Sequence, residues 1–62
     1  MKEPDDLEIL SAMLIYGGGF AKALAHAARL ADSNNLEKIK ATWPEYWTRY
    51  RELALLDRKH EE

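Results

Sequence analysis

"LIYGGGFAKAL", residues 14–24, decides how this chain folds. Three consecutive glycines, Gly17, Gly18 and Gly19, interrupt what otherwise reads as one long amphipathic helix. Outward from them, apolar residues recur at Leu7, Leu10, Leu14, Gly17, Ala21, Leu24, Ala28 and Ala31. That spacing alternates three and four, the period of a helix seam, and it passes through the glycines without a slip. A second row flanks it: Ile9, Met13, Tyr16, Phe20, Ala23, Ala27 and Leu30. The spacing predicts a long helix over about residues 5–31, with Pro4 at its first position and Asp5 and Asp6 at its positive end. Its apolar arc is wider than one partner helix needs. The polar remainder, Glu8, Ser11, Lys22, His26, Arg29 and Asp32, is narrow, which points to more than one neighbour.

"DSNN", residues 32–35, is turn chemistry. Asn34 and Glu37 suit a capping box for the next helix. Beyond it a second arm has its own seam, Leu36, Ile39, Trp43, Tyr46, Tyr50 and Leu53, with Trp47, Ala54 and Leu56 beside it. Pro44 inside this arm would cost about 3 kcal/mol in a helix interior. Thr42-Trp43-Pro44-Glu45 has the T-x-x-E pattern of a new helix start. The prediction is a short helix over about 35–41 and a longer one over about 43–59, with Glu45 and Arg49 paired on its surface. Arg58, Lys59 and His60 suit its negative end. The fold class is therefore all-α: a helical hairpin, one domain over residues 1–62, assembling into an oligomeric bundle.

Size supports the oligomer. A domain of 62 residues without cysteine has no disulfide or thiolate metal site to supplement a small core. Net charge is −2 and the isoelectric point about 5.6, against the basic footprint of a duplex nucleic-acid binder. Met1-Lys2 leads directly into Glu3, Pro4, Asp5 and Asp6, which is not a signal-peptide pattern. The longest uncharged run, Ile9 to Ala21, is short for a membrane span. The expected location is cytoplasmic; a small membrane-associated protein is the third and least favoured alternative.

Three glycines in a helix would cost about 2–3 kcal/mol relative to alanine, so something must offset them. A hairpin folded about residue 33 sets Gly17 near Arg49, Phe20 near Tyr46 and Tyr16 near Tyr50. The bulkiest part of arm two then lies on the thinnest part of arm one. The alternative is a ligand cradle. A helix restarting near Phe20, with Lys22 in its first turn and His26 and Arg29 following at helical spacing, would form an anion or nucleotide site with Gly17, Gly18 and Gly19. The segment matches neither a Walker loop nor a dinucleotide fingerprint, so packing is the preferred reading.

Catalytic patterns are lacking. His26 and His60 lie on different arms, Ser11 and Ser33 are the sole serines, and no elbow or oxyanion loop accompanies them. No metal-ligand spacing is present and no cofactor is called for. "PEYWTRYR", residues 44–51, mixes residue types enriched at protein-contact hot spots. Trp43, Tyr46, Trp47, Arg49, Tyr50 and Arg51 are therefore the candidate contact residues.

The segments "LIYGGGFAKALAHAARLAD" and "NNLEKIKATWPEYWTRY" resemble a group of short phage and prophage proteins. Their shared features are a Gly-Gly-x-Phe-Ala core, an alanine-rich stretch and an aromatic-Pro-Glu-Tyr-Trp box. The likeness covers about residues 7–50. It implies a small accessory protein made during infection and acting in the host cytoplasm. Such a protein masks a host factor, for example in defence, or soaks up a signalling nucleotide. The likeness transfers no functional residue.

Overall fold

The computed structural model describes residues 3–61, with side chains through Asp57. It is all-α, with four helices: α1 (Asp6–Tyr16), α2 (Gly19–Leu30), α3 (Ser33–Thr42) and α4 (Pro44–Glu61). The continuous helix expected over residues 5–31 is thus divided in two. Gly17 (φ −80°, ψ 159°) and Gly18 (φ −80°, ψ −168°) are both extended, which no helical hydrogen-bond ladder can cross. Neither glycine has a positive φ, so the break does not use the left-handed region. It uses bare backbone. A Cβ on Gly17 would stand 2.4 Å from the Met13 carbonyl oxygen, 2.5 Å from the Ala21 Cβ and 3.3 Å from the Tyr50 hydroxyl. At Gly18 and Gly19 an added Cβ would meet nothing within 4 Å.

The break changes which row is buried. In α1 the buried residues are Ile9, Leu10, Ala12 and Met13, including two of the flanking row, while Leu7 of the seam is exposed. In α2 the seam residues Ala21, Leu24 and Ala28 are buried with Ala25, while Phe20, Ala23, Ala27 and Leu30 are exposed. A straight helix would bury one row throughout. Two extended residues reset the rotation about the axis, so each half chooses its own face.

Helix α1 packs against both α2 and α4. Two hydrogen bonds fix its relation to α4: Trp47 Nε1 donates to Asp6 Oδ1 at 3.1 Å, and the Tyr16 hydroxyl donates to Asp57 Oδ1 at 2.5 Å. Both span 41 residues of chain. The two helices are therefore parallel and in register. In that register Ile9 is level with Tyr50 and Met13 with Ala54, and all four are buried. A simple two-arm hairpin would have made the arms antiparallel throughout. It survives only at the start of α2, where Phe20 meets Tyr46 (ring centroids 5.6 Å apart) and Trp43 (5.7 Å, edge to face). Tyr16, expected near Tyr50, reaches Asp57 instead.

Local chemistry sets the ends. Asp5 caps α1 in a full capping box: its Oδ1 accepts from Glu8 N (2.9 Å) and its own N donates to Glu8 Oε1 (3.4 Å). Pro4 precedes that cap rather than beginning the helix. Helix α3 is capped by Asp32, which accepts from Asn35 N at 2.8 Å, so it starts before the expected Asn34. The Thr42 hydroxyl donates back to the Lys38 carbonyl oxygen (2.7 Å) and makes no box with Glu45. Pro44 is instead the first residue of α4, where its missing N–H is no loss. The side chains of Arg58, Lys59 and His60 lie outside the described ones.

The core is small and rich in alanine. Eleven described residues form it, five of them alanine: Ala12, Ala21, Ala25, Ala28 and Ala54. Alanines on α2 admit the long side chains of α1 at close range, the large-on-small logic expected of the glycines. Helix α3 contributes no buried residue; Leu36 and Ile39 only lean on the core.

Candidate functional site: the outer face of α2

At 100° per residue, α2 has three stripes. The buried stripe is Ala21, Leu24, Ala25 and Ala28. A second, spanning about 80° of arc, is Phe20, Ala23, Ala27 and Leu30, all exposed. The third is Lys22, His26 and Arg29, also exposed. Leu30 is 89% exposed and stands clear of the core, while Phe20, 52% exposed, lies at its edge with its ring against Trp43 and Tyr46. Isolated exposed apolar residues need no explanation, but a row of four at helical spacing does.

Charge adds to the pattern. Helix α2 has no acidic residue between Gly19 and Leu30. Lys22, His26 and Arg29 form no ion pair with any described residue. Lys40 differs: it lies 3.3 Å from Asp6 Oδ1 and 3.8 Å from Glu37 Oε2. Two cations, Lys22 and Arg29, thus stand unpaired with His26 between them beside an apolar row, in a chain whose net charge is −2.

The aromatic-arginine candidates are placed differently from the expectation. Trp47 (3% exposed) and Tyr50 (5%) are core side chains, which withdraws them from any open contact surface. Their burial follows from the parallel α1–α4 pairing, which turns that face of α4 inward. Trp43, Tyr46 and Arg51 are half-buried, and Arg49 is exposed. Tyr46 stacks on Tyr50 with centroids 6.2 Å apart, and an open depression beside it is lined by Glu45, Tyr46 and Arg49. The set is therefore split between core and rim.

Two features expected of the alternative anion site concern the backbone alone. The chain does break at the glycines, and Gly18 caps α2 without a side-chain hydrogen bond. Lys22 N donates to the Gly18 carbonyl oxygen at 3.0 Å, placing Lys22 in the first turn. Gly17, by contrast, is spoken for sterically and only partly exposed.

Residue spacing does not point to the Tyr16–Asp57 pair, which joins positions 41 apart. The hydrogen bond to Asp57, a small loss of solvation and the neighbouring negative charge together raise the Tyr16 phenol above its ordinary range. Among the described residues no group of three His, Asp or Glu side chains could hold a metal ion. No described helix is long and apolar enough to cross a membrane. No protein-family model matches the chain, and no curated protein or solved structure matches it.

Proposed function

We propose that this chain is a small non-enzymatic accessory protein of phage type that works by binding another protein, as an inhibitor of a host factor. One observation carries the binding role: the unpaired apolar and basic side of α2, with Phe20 and Leu30 projecting from it. On that side Leu30 stands open and Phe20 is half covered by Trp43 and Tyr46; α1 and α4 also leave Leu7, Ile15 and Leu56 exposed. The phage context rests on the resemblance of residues 7–50 alone. Assembly of copies is a second way of covering the same apolar side chains, and belongs to the same reading.

A second reading has its own observation. The helix break and the uncapped start of α2 are the backbone that a nucleotide-binding sponge would use, with Lys22 and Arg29 supplying charge. Phe20, Trp43 and Tyr46 would offer rings for stacking.

Light scattering with native mass spectrometry, on protein purified from the cells that make it, separates these. A bound polypeptide or a defined assembly supports protein contact. A carried nucleotide, lost in Lys22→Glu, supports the sponge. A bare monomer up to high micromolar concentration contradicts both.

A further inference from the structure

We propose that the outer side of α2 is a docking face for an acidic amphipathic helix of a partner protein. This rests on the protein-binding reading and names the partner's chemistry. The shape comes first. Phe20, Ala23, Ala27 and Leu30 are spaced three, four, three, with bulk at both ends and methyl groups in the middle. The ends are about 15 Å apart along the axis. The row is a saddle: at one end Phe20, half exposed with its ring braced on Trp43 and Tyr46, at the other the open Leu30, and between them a thin centre where another helix axis can approach closely. A lipid surface rewards bulk along the whole row, which two alanines do not supply. A crossing helix rewards the thin centre.

Charge then selects the helix. Lys22, His26 and Arg29 run beside the saddle on one flank, unpaired, with no acid on α2. A partner helix needs apolar residues at i, i+3 or i+4, and i+7, with Asp or Glu on the edge facing that flank. A second copy's α2 fits less well. Antiparallel pairing of two such rows would set Lys22 beside the other copy's Arg29, like charge against like.

The test uses the intact chain, labelled with ¹⁵N, and four probes. The first is a synthetic amphipathic helix with Leu at i, i+3, i+7 and i+10 and Glu on its flanks. The second is the same peptide with Lys for Glu. The third is a vesicle of phosphatidylglycerol and phosphatidylcholine, and the fourth is the chain alone over a dilution series. The Glu peptide is expected to shift amides of α2 from Phe20 to Leu30. Its affinity is expected to fall about tenfold in the double variant Lys22→Glu, Arg29→Glu. Leu30→Asp is expected to abolish the shifts with unchanged circular dichroism. The Lys peptide is expected to leave the spectrum unmoved.

Equal binding of both peptides overturns the charge argument. No shift on α2 with the Glu peptide overturns the proposal. Binding to vesicles alone, or concentration-dependent shifts of the chain alone on these residues, assigns the face to lipid or to a second copy and also overturns it. If the Glu peptide fails while native mass spectrometry still finds a bound polypeptide, the protein-binding reading stands and this surface falls.

Discussion

The Trp47 indole donates a hydrogen bond to the Asp6 carboxylate across 41 residues of chain, 3.1 Å from nitrogen to oxygen. The same carboxylate holds the Lys40 ammonium at 3.3 Å. One acid at the start of α1 thereby ties α4 and α3 to it. Asp6→Ala leaves the N–H of a buried indole without an acceptor and is expected to cost about 1–3 kcal/mol. Asp6→Asn keeps an acceptor, loses the ion pair, and costs less. Urea denaturation followed by Trp fluorescence measures both, and equal losses would deny the indole bond its role.

The three glycines are expected to respond unequally. Gly17→Ala drives a methyl into the Met13 carbonyl and the Ala21 side chain and destabilises the fold. Gly19→Ala meets open space and is tolerated or mildly stabilising. Gly18→Asp supplies α2 with the side-chain cap it lacks, for a gain of a few tenths of a kcal/mol. Thermal melts of the three variants report the order, and a harmless Gly17→Ala would refute the close-approach account.

Tyr16 gives a pH dependence of defined sign. Its phenol is raised in the folded state, so the protonated form is favoured there. Its contribution to stability is complete below the ordinary tyrosine pKa of about 10. It is lost as pH rises from there through the raised value. Tyr16→Phe removes that alkaline slope. Absorbance titration near 295 nm should show a late-titrating tyrosine that returns to the ordinary range in Asp57→Asn. A titration unchanged by Asp57→Asn would contradict the pair.

Surface and core are expected to separate cleanly. Met13 is 0% exposed, and Met13→Ala is expected to cost about 2–5 kcal/mol. Leu30 is 89% exposed, and Leu30→Asp should change stability by no more than about 0.5 kcal/mol. Chemical denaturation of the two variants checks the contrast. A large loss in Leu30→Asp would mean that the side chain is covered in solution.

Much of this was legible in residue order. The helical period and the Phe20–Tyr46 contact follow from spacing; the turn read at residues 32–35 falls instead at 31–32, with Ser33 to Asn35 already helical, and the restart read at about 43 falls at Pro44 without the Thr42 box. The break at Gly17–Gly18 was legible only as the less favoured alternative, because the apolar seam continues through it in step. Periodicity reports which residues share a face if the helix is straight; it is silent on a change of face between two segments. That silence also hid the parallel packing of α1 on α4, and so the burial of Trp47 and Tyr50. A candidate site chosen for residue type favoured those aromatics. The row proposed as the contact surface, Phe20, two alanines and Leu30, had read as the flank of a seam.

Site-specific photo-crosslinking in the producing cell tests the functional claim most directly. A photoreactive phenylalanine is placed at Leu30 on the outer face of α2, and at exposed Thr48 on α4 as a comparison. The account predicts a discrete protein adduct from position 30, absent from position 48 and lost when Lys22 and Arg29 are both changed to Glu. Adducts of equal yield from both positions, or none from position 30, would contradict it.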